Sequence, residues 1–199
     1  MTVRNIIEIG HRVLKLKNKP VVDFHSPLLK KLINDLKDTM TKVDLIGIAA
    51  PQIGENYQVF LTQPRKTNAR KLEKGDVLRV YINPKITFKS KETNLIYEGC
   101  GCVPHSSIFG PVVRPREIEV EAYDIAGQKF RLRCDGILAR VIQHEYDHLH
   151  GIEFLETISE NRKIISWDFY RRDIRNSKEQ KTTSKITKIE FEKLGPSNP

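Results

Sequence analysis

Cysteine is scarce in this chain of 199 residues, which contains only Cys100, Cys102 and Cys134. An odd number of cysteines, two of them separated by a single residue, is a poor framework for disulfide bonds. The set suits either core thiols in a reducing cytosol or thiolate ligands of a metal ion. The sequence therefore argues against a small disulfide-stabilised extracellular protein.

Long apolar runs are absent as well. No stretch approaches the roughly 20 apolar residues that a membrane-spanning helix requires. The N-terminus lacks the apolar core and the small-residue cleavage site of a secretory signal. Hydrophobic residues make up 39% of the chain and charged residues 30%, which is typical of a globular domain. We therefore expect a cytoplasmic protein of bacterial type, with no membrane partner.

Acidic residues are too few to balance the basic ones, since 25 Asp and Glu stand against 34 Lys and Arg, a net charge of +9. Residues 171–199 alone contain eight basic and four acidic residues. Such a surface favours encounters with RNA, ribosomes or anionic lipids. We predict a catalytic domain over residues 1–170 and a basic, flexible tail over residues 171–199 that contacts the ribosome. No DNA partner is expected.

The order of the predicted elements indicates an α+β fold. Apolar residues recur at helical spacing over residues 26–40, which predicts an N-terminal amphipathic helix. Alternating apolar and polar residues predict strands over residues 57–62, 77–84 and 116–124, the last continuing into a hairpin. A second helix is predicted over residues 136–150, and its wide apolar sector indicates that it is buried. This order is typical of α+β rather than alternating α/β proteins.

The stretch HEYDHLHG, residues 144–151, has the spacing of a metal site. His144 and His148 are four residues apart, so on a helix they lie on one face and can both reach one ion. Glu145 lies beside that ion, where a carboxylate can accept a proton from water that the ion acidifies. Burial of two imidazoles and a carboxylate without partners would cost several kcal/mol, so a bound ion explains the pattern better than chance.

Two histidines are too few, because a catalytic zinc or iron site uses three protein ligands and an open position. A metzincin would place its third histidine where this chain has Phe154. A thermolysin-like enzyme would use a later carboxylate, and Asp168 lies at a suitable distance along the chain. The segment EGCGCVP, residues 98–104, offers Cys100 or Cys102 instead, and a thiolate with two imidazoles suits Fe²⁺ or Zn²⁺. The spacing alone leaves these sources open.

Three segments resemble the motifs of one family, the peptide deformylases. IGIAAPQIG (46–54), EGCGCVP (98–104) and QHEYDHLHG (143–151) stand in the order of the GxGxAAxQ, EGCxS and HExxH motifs of that family. The resemblance covers about residues 3–165. It implies antiparallel β-sheets packed around a central buried helix that carries HExxH. It also implies a metal-dependent hydrolase that removes the N-formyl group from the formyl-methionine of newly synthesised polypeptides and releases formate.

The resemblance further implies one divalent metal ion, natively Fe²⁺, with Zn²⁺, Ni²⁺ or Co²⁺ as alternatives in the purified protein. The implied metal ligands are Cys100, His144 and His148. Glu145 would be the acid/base, and Gln52 with the backbone N–H of Gly101 would stabilise the oxyanion. The backbone of Gly47 would lie close to the substrate, and the pocket for the methionine side chain would be lined by Ile46, Ile96, Ile137 and Val141. Behind the metal, Arg114 would pair with Glu98.

Three positions depart from the family pattern, and the position of Arg140 on the helix leads to a separate prediction. Leu45 stands where the family usually has its first glycine, and Gly101 replaces a larger or apolar residue. Cys102 replaces a serine and adds a second thiol, although Cys100 occupies the ligand position of the motif. Arg140 falls one turn before His144, beside the expected side-chain pocket, and we predict that it faces solvent.

Two other functions fit parts of the sequence. One is an HExxH endopeptidase that uses Asp168 as its third ligand. The other is a ribosome- or RNA-binding module with a vestigial metal site, which the basic tail suggests. The cysteine motif favours the deformylase over the endopeptidase, because the endopeptidase interpretation leaves that motif unexplained.

Overall fold

The computed structural model describes residues 2–66 and 75–195 of the chain. Residues 67–74, which belong to the basic segment 63–76, lie outside the described residues. Within the described ranges, neighbouring strands of each sheet pair in an antiparallel manner, and helices pack against the sheets. The predicted α+β class with antiparallel sheets is therefore confirmed. In these ranges no helix combines the length and the apolar character that crossing a bilayer requires.

The described residues form four α-helices and nine strands. The helices are α1 (Pro27–Lys42), α2 (Gly136–Leu149), α3 (Trp167–Phe169) and α4 (Lys178–Ser184). The strands are β1 (Gly47–Ala49), β2 (Val59–Thr62), β3 (Arg79–Lys89), β4 (Thr93–Glu98), β5 (Ile108–Pro115), β6 (Glu117–Tyr123), β7 (Lys129–Asp135), β8 (Ile165–Ser166) and β9 (Ile189–Lys193). A π-helical turn, Tyr170–Ile174, follows α3 directly.

The strands form two sheets. The larger sheet has the order β1-β2-β3-β6-β7-β9, and the smaller has the order β4-β5-β8. In the smaller sheet, β4 pairs with β5 along its whole length, from Thr93 opposite Pro115 to Glu98 opposite Gly110. Because Cys100 follows β4 by two residues, this pairing fixes where the cysteine motif emerges from the sheet.

The helix α2 is enclosed by both sheets. Eleven of its 14 residues are buried, among them Leu138 and Ile142, which belong to the core cluster that includes Val120 and Leu132 of the larger sheet. Toward the smaller sheet, Arg140 donates hydrogen bonds to backbone carbonyls of β4 and β5. Burial on all sides explains why apolar residues spread over so wide a sector of this helix.

The N-terminal helix α1 begins and packs as its sequence predicts. The hydroxyl of Ser26 accepts a hydrogen bond from the N–H of Leu28 at 3.2 Å, which satisfies one of the unpaired amides at the helix start. The buried face, including Leu36 and Met40, belongs to a core cluster with Leu61 of β2. This helix therefore supports the larger sheet near β1, the strand that leads into the Gln52 motif.

The C-terminal segment corrects one prediction. Residues 171–199 were expected to form a flexible tail, but the described part of this segment, residues 171–195, contains α4 and β9, and β9 is the sixth strand of the larger sheet. Ile186 is buried in the core around α2. The carboxylate of Asp135 accepts hydrogen bonds from the N–H groups of Thr187 and Lys188 at 2.7 and 2.9 Å. The prediction of loose order is wrong here. Residues 186–193, ITKIEFEK, contain many charged residues, but their apolar and polar residues alternate as in a strand.

Candidate active site

Three side chains from two separate elements converge at the centre of the molecule. His144 and His148 lie one turn apart on α2, with ring centroids 5.1 Å apart. The sulfur of Cys100, which follows β4, lies 3.3 Å from Nε2 of His148. One ligand atom from each residue lies within 4.8 Å of the other two. The helix α2 positions the two histidines one turn apart, and the end of β4 positions the cysteine beside them.

The cluster fits a divalent metal ion. Its donors are one sulfur and two imidazole nitrogens, a set that suits Fe²⁺ or Zn²⁺. Nδ1 of His148 is buried and has no hydrogen-bond partner among the described residues. The neighbouring Cys102, followed by burial, raises the pKa of the Cys100 thiol to about 11, and a bound cation would favour the thiolate instead. The cluster of ligand atoms contains Cys100 and not Cys102.

A buried carboxylate orients the first histidine. Oε2 of Glu98 lies 2.9 Å from Nδ1 of His144, and both Nε and Nη2 of Arg114 donate to Glu98, at 2.8 and 3.0 Å. Although burial opposes ionisation, Arg114 first and then His144 hold the pKa of Glu98 well below its usual range. An ionised Glu98 favours a proton on Nδ1 of His144, which leaves Nε2 available as a ligand atom.

Arg140 belongs to the same network, so its predicted exposure to solvent is wrong. Its side chain is 4% exposed and its Nη1 lies 2.8 Å from Oε1 of Glu98. Its Nη2 donates to Oδ1 of Asn94 at 2.6 Å. The face of α2 that carries Arg140 is covered by the smaller sheet, and the charge is tolerated there because Glu98 balances it. The interaction spans 42 residues of sequence, beyond the reach of helical spacing arguments.

Glu145 lies beside the cluster, against the backbone of Gly47. The carboxylate is buried, and its Oε2 has no hydrogen-bond partner among the described residues. Burial raises the pKa of Glu145 to about 7, while the neighbouring His144 opposes that rise. A Cβ atom on Gly47 would overlap Oε1 of Glu145 and crowd Val141. The glycine in the first motif therefore makes room for the carboxylate in the third.

Gln52 points its amide nitrogen at the cluster. It lies in a single 3₁₀ turn, Ala50–Ile53, that directly follows β1. Its Oε1 accepts a hydrogen bond from the N–H of Ala49 at 2.6 Å, which fixes the direction of the amide. Its Nε2 then lies 3.8 Å from the sulfur of Cys100. The sequence placed Gln52 near the site through its motif, but the bond that orients it became visible only in the structure.

A cleft of about 1280 Å³ opens onto these groups. The four aliphatic residues predicted to form a methionine pocket all lie along it, and they are Ile46, Ile96, Ile137 and Val141. Gly47 and Gly101 also line the cleft. The aliphatic walls and the burial of Glu145 make the inner end a weakly polar environment, which strengthens charge interactions there.

The structure corrects one candidate and adds others that the sequence did not suggest. Asp168 lies on α3 with a side chain 83% exposed and pairs with Arg171, outside the cluster of ligand atoms. The endopeptidase interpretation thus lacks its third ligand. Gln180 and Lys181 of α4 line the outer cleft, and no motif pointed to them, because they lie in a polar segment far from the three motifs.

Comparison with known proteins agrees with this geometry. The model of the polypeptide deformylase family matches residues 3–163. The chain is 38% identical over 166 residues to peptide deformylase 2 of Clostridium perfringens, an alignment that covers 83% of this chain and 99% of that protein. It is 37% identical over 155 residues to the peptide deformylase of Treponema pallidum, covering 78% and 88% of the two chains.

Solved structures show the same likeness. The crystal structure of peptide deformylase from Thermotoga maritima matches with a TM-score of 0.71 at 32% identity, and covers 80% of this chain and 100% of that chain. A Met-Ala-Ser-bound class I type b peptide deformylase from Acinetobacter baumannii matches with a TM-score of 0.71 at 32% identity, covering 79% and 99%. The chain therefore belongs to the polypeptide deformylase family of metal-dependent hydrolases.

Proposed function

We propose that this chain hydrolyses the formyl amide of N-formyl-methionyl nascent peptides and releases formate, using the residues that converge on the cleft. One observation carries the proposal: ligand atoms of Cys100, His144 and His148 lie within 4.8 Å of one another, beside the buried carboxylate of Glu145. Membership of the family supports the reaction. Neither the endopeptidase nor the RNA-binding module with a vestigial site has comparable support.

The sulfur of Cys100 and one imidazole nitrogen each of His144 and His148 would hold the divalent ion. When bound, this ion acidifies a water molecule and polarises the formyl oxygen. We propose Fe²⁺ as the native ion, and Zn²⁺, Ni²⁺ or Co²⁺ can bind to the same nitrogen and sulfur donors. Arg114 and Arg140 hold Glu98, and Glu98 holds His144. This chain of contacts fixes the first imidazole before any ion arrives.

Glu145 moves the proton in this mechanism. It accepts a proton from the attacking water as the water oxygen forms a bond to the formyl carbon. The proton then passes to the amine nitrogen as the carbon–nitrogen bond breaks. Water and the formyl amide thus become formate and a free amino terminus, without another reactant. In this assignment the acceptor atom is Oε2 of Glu145, which has no hydrogen-bond partner among the described residues.

Gln52 and Gly101 stabilise the negative oxygen that develops on the formyl group. The Nε2 amide of Gln52 points at the cluster, and the hydrogen bond between its Oε1 and the N–H of Ala49 holds it there. The backbone N–H of Gly101 lies in the next peptide unit after Cys100. Donors that are oriented in advance lower the barrier most, since they need no reorganisation as charge develops.

Two strand edges flank the cleft and can hold an extended substrate. Among the described residues, β1 pairs with β2 alone and β4 pairs with β5 alone. An extended peptide can add to such an edge through main-chain hydrogen bonds. We therefore place the substrate main chain between β1 and β4. The methionine side chain would then lie among Ile46, Ile96, Ile137 and Val141, with Gly47 next to the peptide.

The direct test is formate release from formyl-Met-Ala-Ser by protein purified without oxygen and loaded with Fe²⁺. We expect one formate for each Met-Ala-Ser produced, with acetyl-Met-Ala-Ser left intact because the proposed reaction is specific for the formyl group. Cleavage of internal peptide bonds without formate would support the endopeptidase instead. Metal-loaded protein that releases no formate would refute the proposal.

The variant Glu145→Gln tests the proton transfer separately. We expect it to bind the same amount of metal and to lose about 10²–10⁴-fold in kcat, the usual contribution of a positioned acid/base. Metal analysis and formate assays on the same preparation distinguish the two effects. Turnover close to that of the unmodified chain would contradict the assigned base.

Contact with the ribosome through residues 171–199, and action in the cytoplasm, remain predictions. Truncation at Arg171 is a poor test, because it removes β9 from the larger sheet. Charge reversal of the exposed Lys178 and Lys193 leaves that strand in place. Weaker sedimentation with ribosomes at unchanged peptide turnover would support the contact, and equal sedimentation would refute it.

A further inference from the structure

The outer wall of the cleft is built by α4, which lies beyond the residues 3–163 that the family model matches. The amide of Gln180, on this helix, is buried against β4. Its Oε1 accepts a hydrogen bond from the N–H of Tyr97 at 3.5 Å. Its Nε2 donates to the carbonyl of the same residue at 3.4 Å. One side chain thus occupies both main-chain groups of a strand residue.

Tyr97 presents those groups on the open edge of β4. It lies opposite Pro111 in β5, and proline has no N–H to offer in the pairing between the strands. In an antiparallel pair, a residue directs both of its main-chain groups to the same neighbour. The groups of Tyr97 point away from β5, along the edge that continues to Gly99 and Cys100. Gln180 therefore takes the place that a residue of an added strand would take.

The chain is anchored to the rest of the molecule before and after α4. Before it, the ring of Tyr170 stacks on Phe109 with centroids 3.9 Å apart and an interplanar angle of 6°. After it, the backbone at Lys185 lies so close to Gly136 that a Cβ on the glycine would overlap the carbonyl oxygen of Lys185. The segment then continues through Ile186 into β9. Because the backbone of the helix is held in this way, a bound peptide would displace the side chain of Gln180 rather than the helix.

We propose that Gln180 determines how far a substrate can pair along β4, so that α4 makes this enzyme sensitive to the length of the formylated peptide. The inference rests on the proposed function, which places the substrate main chain on this edge. Tyr97 lies three residues before Cys100, about 10 Å along the strand. A formylated dipeptide fits between the metal cluster and Gln180. From about its third residue onward, a longer peptide competes with Gln180 for Tyr97.

The geometry favours competition over a permanent block. Both bonds of Gln180 to Tyr97 are at the long limit for hydrogen bonds. A peptide main chain at ordinary strand spacing would bond to Tyr97 at shorter distance and displace the amide. Displacement leaves the amide of Gln180 to find new partners, so longer peptides bind less tightly than their extra contacts alone would allow.

The experiment compares formyl-Met-Ala with formyl-Met-Ala-Ser-Ala-Ala in the unmodified chain, Gln180→Ala and Gln180→Glu. We expect Gln180→Ala to lower KM for the pentapeptide about threefold to tenfold, the effect of removing one or two competing hydrogen bonds. Its kcat/KM for the dipeptide should stay unchanged. In Gln180→Glu a carboxylate can still accept from the N–H of Tyr97 but repels its carbonyl, so we expect an intermediate change.

Lys178→Ala is the matched control, because Lys178 lies on the exposed face of the same helix; it should leave both KM values unchanged. Equal changes of KM for the two peptides in Gln180→Ala, or no change for either, would overturn the inference. Titration with the unformylated pentapeptide gives a second measurement that does not depend on turnover, and tighter binding by Gln180→Ala is expected. Absence of formate with the unmodified chain would refute the proposed function, whereas equal peptide binding would refute the role of Gln180.

Discussion

The side chain of Leu45 occupies the space beside Gly101. A Cβ atom built on Gly101 would lie 3.1 Å from Cδ1 of Leu45, closer than carbon atoms pack without adjustment. The motifs that this chain resembles have a glycine at the first position and a larger residue at the second. The two departures therefore compensate each other, because the leucine fills what the glycine leaves open.

This relationship predicts non-additive stability changes. Gly101→Leu should lower the free energy of unfolding by about 1–3 kcal/mol, because its side chain meets Leu45. Leu45→Gly should lower it by about 1–3 kcal/mol, because half-buried contacts and chain rigidity are lost. The double variant should be more stable than the sum of the two losses predicts. Urea denaturation of all four proteins measures the coupling, and strict additivity would contradict compensation.

Gly47→Ala should damage catalysis more than stability. The new methyl group overlaps Oε1 of Glu145, so the carboxylate must move from its place beside the metal cluster. A displacement of this kind can lower the rate about 100-fold. Gly195→Ala is the control, since a Cβ there meets no atom of the described part of the chain within 4 Å. Formate assays and metal analysis of both variants test the prediction; equal kcat values would show that Glu145 tolerates the methyl group.

Metal removal should separate the two cysteines of the second motif. An ion at about 100 times its dissociation constant stabilises the folded state by about 2.7 kcal/mol, so a chelator should lower the melting temperature of the unmodified chain. Cys100→Ser should bind metal weakly and show little response to chelator. Cys102→Ser should respond like the unmodified chain, because its sulfur is outside the ligand cluster. The reverse pattern would assign the ligand to Cys102.

The docking of β9 should depend on pH through Glu117. Its carboxylate pairs with Arg133 of β7 and with Lys188 just before β9. Burial opposes ionisation, but Arg133 and then Lys188 lower the pKa of Glu117 overall. A lowered pKa contributes stability above the unfolded value of about 4.3. That contribution is lost as pH falls through the folded value.

Glu117→Gln should therefore be less stable than the unmodified chain at pH 7, by at most about 1 kcal/mol because the pair is only partly buried. The difference should shrink toward zero in acid. Denaturation curves between pH 7 and pH 3 measure it. Glu92→Gln is the control, since the side chain of Glu92 is 79% exposed and lies 3.6 Å from its partner Arg116. A difference that persists in acid would mean that the pair acts through packing alone.

Much of the candidate site could be predicted because its parts are local. His144, Glu145 and His148 belong to one helix, whose pitch sets their mutual positions. Gln52 and Cys100 belong to short motifs with a characteristic order. What local spacing could not decide was the third ligand, which depends on the register of β4 and β5 and on how the smaller sheet packs against α2.

The errors arose where a distant partner decides the outcome. Arg140 looked like a surface residue because nothing near it in sequence could balance a buried charge, and Glu98 is 42 residues away. The C-terminal segment looked disordered because charged residues outnumber apolar ones. Ile186 and Ile189 nonetheless pack against the core around α2, and β7 supplies the main-chain partners. Composition describes the exposed face of such a strand better than its buried one.

The place of β9 at the margin of the larger sheet also bears on how the molecule is made. Synthesis proceeds from the N-terminus, so β9 leaves the translation machinery after the other five strands of the larger sheet. In a product that stops before Ile189, the main-chain groups along one edge of β7 have no strand partner. Such an exposed edge promotes aggregation and degradation. A chain that extends through β9 covers that edge and, through the hydrogen bond from Thr187 to Asp135, holds the residue before the histidine-bearing helix. Synthesis of β9 is thereby coupled to the integrity of the catalytic centre.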